Sequence, residues 1–243
     1  MQNNKFNKCA AIILCGGKGT RLGSIGKKTN KTLIKYDNNP LIYYIIKYLQ
    51  KYKIKNIILP LGYRHKDVKK YLDYKFNQKK IKSFNAGLST SITDRIKKSL
   101  KFISNDIENI LILNGDSFYK FNLNKLVDRK LLKKNIFINL MCTELKLDYG
   151  FVEKNNKKIN FKYKEKKFQK FIDKNGKYNF FYSGLCVVEK NYLIKSLKTI
   201  NDNFELMLFN KASRINKLGY IFDNSPFFQI NYNFDLKLLK TKY

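Results

Sequence analysis

Continuous apolar runs alternate with helical patterns along the first part of the chain. Cys9 to Cys15 form an apolar run that ends in glycines, which is typical of a strand buried on both faces of a parallel sheet. After Pro40, the apolar positions of residues 41–52 recur at i, i+3 and i+4, and this spacing predicts a core-facing helix. A second buried run follows at Asn56 to Leu61. The pattern therefore predicts a strand–helix–strand unit.

The same alternation continues up to residue 116. Residues 65–74 predict a short helix, residues 81–84 a third strand and Thr93 to Phe102 a third helix. Residues 109–116 (NILILNGD) predict a strand that ends in a turn. Strands and helices in this order are the signature of a doubly wound, mostly parallel α/β sheet.

The pattern changes beyond Phe137, where strand-like runs separated by turns replace the alternation. These runs are FINLMCT, YGFVEK, KINFKYK and FFYSGLCVVE, and helices are predicted near Tyr192 to Leu197 and Phe204 to Lys211. We expect a second layer or lid added to the same sheet. No repeat or low-complexity linker separates the halves, so the sequence predicts a single domain over 1–243, with halves 1–135 and 136–243.

Residues Leu14 to Leu22 (LCGGKGTRL) are the first candidate for chemistry, because they directly follow the first predicted strand. Glycines there allow a tight turn that brings backbone N–H groups against a phosphate chain, while Lys18 and Arg21 add positive charge. The segment predicts an anion cradle, although it is neither a Walker A loop nor G-x-G-x-x-G. A purely structural turn is the alternative.

Two neighbouring segments resemble a known family. LCGGKGTRL, followed by Lys31 in TNKTLIKYDNNPL, resembles the G-G-x-G-T-R-L and P-K-P-[ML] signature of the sugar-1-phosphate nucleotidylyltransferases. Asn30 and Thr32 replace the prolines that flank the lysine, and we expect this departure to loosen the loop. Residues 85–97 are similar to the T-G-x-x-T-x-x-x-R-[LI]-K stretch of glucose-1-phosphate cytidylyltransferases, and the matching residues are Gly87, Thr90 and Arg95.

Later segments extend the resemblance over roughly residues 9 to 240. Asn114 to Ser117 (NGDS) resembles the family's G-D turn, and Tyr163 to Lys166 (YKEK) its F-x-E-K segment. Tyr182 to Gly184 is similar to its N-[GA]-G turn. The resemblance implies a Rossmann-like nucleotidyltransferase fold of the GT-A-like kind, with a nucleotide-binding half at 1–135 and a sugar-binding and lid half at 136–243.

The resemblance also implies a reaction. An oxygen of a sugar 1-phosphate attacks the α-phosphorus of a nucleoside triphosphate, releasing pyrophosphate and giving an NDP-sugar for surface polysaccharide synthesis. Such chemistry needs two polyanions held in line and their charge neutralised, which cations and Mg²⁺ accomplish. The nucleotide expected first is CTP. Because NGDS also resembles guanylyltransferases that act on mannose or heptose phosphates, GTP is the alternative.

Individual roles follow from the resemblance, position by position. Arg21 and Lys31 would be catalytic, with Lys31 at the α-phosphate, and Asp116 would hold Mg²⁺. The nucleotide-binding positions would be Leu14, Gly16, Gly17, Gly19, Thr20, Gly87, Thr90, Asn114 and Gly115; the sugar-phosphate positions would be Glu165, Lys166 and Gly184. Structural alternatives remain: Asp116 as a turn cap, Lys166 in a solvated charge run, and Arg95 paired only with a neighbour.

The C-terminal segment FFQINYNFDL departs from the family. Where relatives carry a second metal-binding Asp, one alignment places Gln229 and the other Tyr232, with Asn231 as a near neighbour. Asp235 corresponds to the start of the last helix. Gln229 or Asn231 would be an uncertain second metal ligand, so we expect weakened metal binding. A catalytically weakened paralogue that binds nucleotide-sugars is therefore an alternative to an active enzyme.

Charge and cysteine content add little to this picture. Lys+Arg number 50 against 18 Asp+Glu, giving a net charge of +32, but the lysines are spread along the chain. We expect no specific nucleic-acid partner, although an RNA-binding protein is a third hypothesis. The four cysteines form no C-x-x-C pair and no apolar stretch approaches the ~18 residues of a membrane span. These features predict a soluble, cytoplasmic protein without a membrane partner; its oligomeric state stays open, a homo-oligomer included.

Overall fold

A computed structural model describes residues 5–76, 80–128, 135–143, 151–155, 158–162, 171–172, 178–179, 181–201, 203–232 and 235. Fifteen strands are named here in chain order: β1 (Cys9–Leu14), β2 (Lys35–Tyr36), β3 (Asn39–Pro40), β4 (Asn56–Leu61), β5 (Ile81–Asn85), β6 (Asn109–Asn114), β7 (Ser117–Tyr119), β8 (Ile138–Thr143), β9 (Phe151–Asn155), β10 (Lys158–Lys162), β11 (Phe171–Ile172), β12 (Tyr178–Asn179), β13 (Phe181–Glu189), β14 (Leu218–Phe222) and β15 (Phe227–Gln229).

Seven of these strands form the central sheet, in the spatial order β14-β8-β13-β6-β1-β4-β5. β1 pairs in parallel with both β4 and β6, and β4 pairs in parallel with β5. β13 is antiparallel to its neighbours β6 and β8, while β14 returns parallel to β8. The mostly parallel sheet expected from the buried apolar runs is confirmed, and the C-terminal strands extend it on the β6 side.

Helices cover both faces of this sheet. They are α1 (Gly23–Lys28), α2 (Leu41–Lys51), α3 (His65–Lys75), α4 (Ile92–Leu100), α5 (Leu123–Leu126), α6 (Lys190–Leu197) and α7 (Phe204–Arg214). Ala11 and Ile13 of β1 pack in a core with α2, α3 and α5. The alternating residues Ala10 and Ile12 pack in a second core with α4, α6 and α7. Because one strand supplies both cores, β1 is buried on both faces, as its continuous apolar run predicts.

Local sequence explains where helices α2 and α4 begin. Pro40, with φ −64°, precedes α2, whose buried side chains Ile42, Ile45 and Leu49 follow the predicted spacing. Ser91 is the N-cap of α4, because its hydroxyl accepts a hydrogen bond from the backbone N–H of Asp94 at 3.0 Å. A cap of this kind stabilises a helix by about 1 kcal/mol. The start of α4 is thereby fixed.

Residues 182–184 lie inside a strand rather than in the expected turn. The register of β13 against β8 shifts between Tyr182 and Cys186, and Gly184 within this irregularity has φ +76°. A backbone angle in that region favours glycine, so the bulge explains Gly184 without a chain reversal. The prediction of a turn here is wrong, although the glycine still faces the candidate site described below.

The strand order reverses between β1 and β6, because the chain moves outward to β4 and β5 before returning to the other side of β1. Open α/β sheets bind ligands at such a point, beyond the carboxyl ends of the strands. Leu14 and Asn114 are those ends and lie opposite each other in the register. Among the described residues, no helix combines the length and apolar character needed to cross a membrane.

Candidate functional site

The glycine-rich loop turns sharply after β1. Gly19 adopts φ +62°, and its carbonyl accepts a hydrogen bond from the N–H of Leu22 at 2.9 Å. Leu22 is fully buried and anchors the end of the loop, whereas Gly17, Thr20 and Arg21 are exposed. The structure therefore presents the backbone of the loop and the Arg21 guanidinium to solvent at the carboxyl edge of the sheet.

Asn30 fastens the segment that carries Lys31. Its amide nitrogen donates to the carbonyl oxygens of Cys15 at 3.3 Å and Tyr63 at 2.6 Å, while its amide oxygen accepts from the N–H and hydroxyl of Thr32, both at 2.9 Å. Its φ of −72° is close to the value that a proline ring imposes. The expectation of a loosened loop is wrong, because a buried amide holds the backbone that proline would otherwise fix.

Lys31 and Asp116 meet at the reversal of strand order. The Lys31 ammonium donates to Asp116 Oδ2 at 3.1 Å and to the Ile230 carbonyl at 3.0 Å. Both side chains are partly buried, with 16% and 21% of their areas exposed. Gly115 couples the two loops, because its N–H donates to the Leu14 carbonyl at 3.1 Å. Residues distant in sequence thus form one charged cluster.

The last described strand brings Gln229 to this cluster. β15 is antiparallel to β7 with Gln229 opposite Ser117, and Gln229 Nε2 lies 3.5 Å from Asp116 Oδ1. Tyr232 is 56% exposed, and the N–H groups of Asn231 and Tyr232 donate to the Asp235 carboxylate at 2.7 and 2.8 Å. The geometry favours the alignment in which Gln229, rather than Tyr232, replaces the second metal-binding Asp.

Asp116 and Gln229 fit a metal ion that takes most of its ligands from substrate phosphates and water. Over the described ranges, no group of three or more His, Cys, Asp and Glu side chains could hold an ion. Asp116 offers one carboxylate and Gln229 one amide oxygen once its amide is turned, because amide orientation is set by the hydrogen bonds around it. Mg²⁺ binds readily through one or two protein oxygens together with substrate phosphates and water.

Asn114 and Gly184 pack directly against each other across β6 and β13. A Cβ built on Gly184 would overlap the Asn114 side-chain amide. Behind them, the buried Tyr119 hydroxyl donates to the Asn114 carbonyl at 3.2 Å and accepts from the Asn114 N–H at 3.1 Å. Burial is the main reason that the pKa of Tyr119 is raised, so the hydroxyl stays protonated and holds the end of β6.

The segment after β5, residues 86–90, lies on a third side of the candidate site. Gly87 adopts φ +104°, its N–H donates to Asn85 Oδ1 at 3.0 Å, and the Thr90 hydroxyl donates to the Ala86 carbonyl at 2.6 Å. Arg95 underlies this segment and is only 5% exposed. Rather than pairing with a neighbouring side chain, it donates to backbone carbonyls of two segments, the end of β4 and residues 87–90, a role that sequence reasoning missed.

Two expected sugar-phosphate positions, Glu165 and Lys166, lie outside the described residues. A cleft of about 830 Å³ lies at the opposite edge of the sheet, where β1, β4 and β5 begin. Its lining includes four lysines, which are Lys53, Lys55, Lys80 and Lys82. Open α/β sheets bind ligands at the carboxyl ends of their strands, so we place the candidate site at the glycine-rich loop instead.

Comparisons with known proteins identify the family of the chain. The family described as Nucleotidyl transferase matches residues 10–226. The chain is 35% identical over 160 residues to a D-glycero-α-D-manno-heptose 1-phosphate guanylyltransferase of Campylobacter jejuni, covering 66% of this chain and 70% of that protein. It is 30% identical over 138 residues to a Bacillus subtilis protein described as a glucose-1-phosphate cytidylyltransferase, covering 48% and 54%.

A solved structure shares the fold. A Bacillus anthracis protein described as a glucose-1-phosphate thymidylyltransferase aligns with a TM-score of 0.71 and 18% identity, over 96% of this chain and 94% of that one. At this identity the match supports the fold alone. Together with the family match over residues 10–226, the comparisons show that the chain belongs to the nucleotidyl transferase family and is a sugar-1-phosphate nucleotidylyltransferase.

Proposed function

We propose that the chain transfers a guanylyl group from GTP to a mannose-type or heptose 1-phosphate, releasing pyrophosphate. The observation that carries the proposal is the 35% identity to a heptose 1-phosphate guanylyltransferase over 160 residues, which cover 66% of this chain. This match changes the first choice of nucleotide from CTP to GTP. CTP stays the second candidate, because Gly87, Thr90 and Arg95 follow the cytidylyltransferase pattern and a cytidylyltransferase is also among the relatives.

Each residue of the candidate site would have a role that its chemistry supports. The glycine-rich loop would offer backbone N–H groups to the triphosphate, and the exposed Arg21 would make paired hydrogen bonds to phosphate oxygens. Lys31 would leave Asp116 and follow the charge that develops on the α-phosphate. Asn114 and Gly184, packed together at the carboxyl edge, would line the floor between the nucleotide and the sugar phosphate.

Asp116 and Gln229 would hold Mg²⁺ bound with the nucleotide. When bound, the ion would neutralise phosphate charge and orient the triphosphate. The Lys31 ammonium lies on Asp116 Oδ2, so a metal ion that binds this oxygen would have to displace it. We therefore expect metal and nucleotide to enter together, with Lys31 transferring from the carboxylate to a phosphate oxygen.

A substrate panel tests this proposal. Pyrophosphate release is measured with GTP, CTP, UTP and dTTP against mannose, glycero-manno-heptose and glucose 1-phosphates, and products are identified by mass. Release with GTP and a mannose-type phosphate is expected. Preference for CTP and glucose 1-phosphate would restore the first expectation, whereas nucleotide-sugar binding without turnover would favour the weakened paralogue. Binding of RNA that weakens steeply with salt, without turnover, would favour the third hypothesis.

A further inference from the structure

Arg95 is a buried cation whose partners are all backbone carbonyl oxygens. Its Nε donates to Thr90 at 3.1 Å, and its Nη2 donates to Gly87 at 2.6 Å and Leu88 at 3.4 Å. Its Nη1 donates to Pro60 at 3.3 Å and Leu61 at 3.1 Å. One guanidinium therefore joins the end of β4 to the segment Gly87–Thr90, which we call the base loop.

Two glycines make room for this guanidinium. A Cβ built on Gly16 would overlap Nη1 and Cζ of Arg95, and a Cβ on Gly62 would lie 2.6 Å from Nη2. The Gly16 carbonyl also accepts the N–H of Tyr63 at 3.2 Å, so both glycines belong to one layer under the guanidinium. Arg95 therefore packs against the backbone of the glycine-rich loop while its donors hold the base loop.

The arrangement requires arginine rather than a generic cation. A guanidinium carries five N–H donors in a planar fork, whereas an ammonium is a compact point charge with three. Burial lowers the pKa of Arg95, and over the described ranges no carboxylate pairs with it. A buried charge without an anionic partner is stable only when its donors are satisfied, which the carbonyls accomplish.

We propose that Arg95 is a positioning residue, which fixes the base loop against the glycine-rich loop and thereby sets selectivity among nucleobases. This proposal rests on the proposed function, in which Gly87 and Thr90 lie beside the base. Because the loop is fastened through backbone carbonyls, the exposed Ser89 side chain and the N–H groups other than that of Gly87 would be left for the nucleotide. A loop that is released would still admit nucleotides but would discriminate less well among their base edges.

Hydrogen exchange tests the fastening without any substrate. In the ligand-free protein, Arg95→Lys and Arg95→Met should each accelerate amide exchange across residues 86–91 by tenfold or more, with the smaller effect in Arg95→Lys. Arg214→Met, which removes an exposed arginine from the end of α7, is the control and should leave that segment unchanged. Unchanged exchange in a folded Arg95→Lys protein would overturn the proposal, whatever the enzyme's substrates.

Gly16, which packs against the guanidinium, allows a second test in which Arg95 itself is not substituted. Gly16→Ala should push the guanidinium away and accelerate exchange in the same segment. Gly17→Ala is the matched control for exchange and stability, because a Cβ there meets nothing within 4 Å. Combining Gly16→Ala with Arg95→Met should add little to either single change, since both remove the same contact. Additive effects of the two substitutions on exchange would contradict the inference that both remove the same contact.

Steady-state kinetics test whether Arg95 sets selectivity among nucleobases. With the nucleotide and sugar phosphate found in the panel, Arg95→Lys should raise the nucleotide KM about tenfold, leave the sugar-phosphate KM within twofold, and lower the preference for the best NTP over the next by fivefold or more. Faster loop exchange with an unchanged NTP preference would overturn the selectivity role. If the wild-type protein uses no NTP, the proposed function fails. The exchange experiment still tests whether Arg95 holds the base loop in place.

Discussion

Lys31→Ala should have opposite effects on metal binding and on catalysis. In the ligand-free site the ammonium lies 3.1 Å from Asp116 Oδ2 and competes for the carboxylate that would hold Mg²⁺. With an effective dielectric constant of 20, two unit charges at this separation attract by about 5 kcal/mol. Desolvation of both groups offsets most of that attraction. Removing the ammonium should therefore tighten metal binding by about tenfold, which corresponds to ~1.4 kcal/mol.

Turnover should fall in the same variant. Loss of one preorganised charge on a reacting phosphate lowers kcat/KM by about a hundredfold, or ~2.7 kcal/mol of transition-state stabilisation. Mn²⁺, as a paramagnetic substitute for Mg²⁺, is titrated without nucleotide by water-proton relaxation, and turnover is followed by pyrophosphate release. Lys35→Ala, which removes an exposed lysine four residues away, is the control and should change neither quantity.

The two measurements refute different steps of the reasoning. Wild-type Mn²⁺ affinity in Lys31→Ala would show that the ammonium does not compete for Asp116. Wild-type turnover in the same variant would remove Lys31 from the reacting phosphate. The metal titration requires no activity, so it remains decisive even for a catalytically weakened protein.

Three further predictions test other parts of the site. Arg21→Lys should raise the nucleotide KM about tenfold in steady-state assays, because an ammonium cannot make two parallel hydrogen bonds to phosphate; an unchanged KM would point to a structural role. Gln229→Glu should tighten Mn²⁺ binding in the relaxation titration whereas Tyr232→Glu should not, and the reverse order would favour the other alignment. Asn30→Ala should lower the free energy of unfolding by about 2 kcal/mol in urea, because buried carbonyls lose their donors. A loss no larger than that of the exposed control Asn105→Ala would contradict the role of the Asn30 amide.

The parts of the fold that sequence predicted are those encoded by neighbouring residues. The apolar run of β1, the spacing of α2 and the turn at Gly115 each depend on a few consecutive positions. Placing the glycine-rich loop and Asp116 at one edge followed from the rule that parallel strands end together. Their separation along the chain did not matter, because the sheet itself brings strand ends into register.

The contacts that sequence did not predict depend on pairings between distant segments. Gln229 reaches Asp116 only through the antiparallel register of β15 on β7, which no local pattern encodes. Arg95 matched a family motif, but its carbonyl partners lie on β4 and on the base loop. In the sequence alone Asn30 indicates a lost proline, because the sequence shows the missing ring and not the hydrogen bonds that replace it.

The site around Asp116 is already neutralised before any substrate binds. Lys31 supplies a positive charge at one carboxylate oxygen, and Gln229 places an amide donor 3.5 Å from the other. A carboxylate in place of Gln229 would instead repel Asp116 whenever the metal is absent. The neutral amide therefore favours the metal-free site and weakens its affinity for a lone cation. A nucleotide that carries its own Mg²⁺ would remove this difficulty, because its phosphates would supply Lys31 with a new partner in place of Asp116.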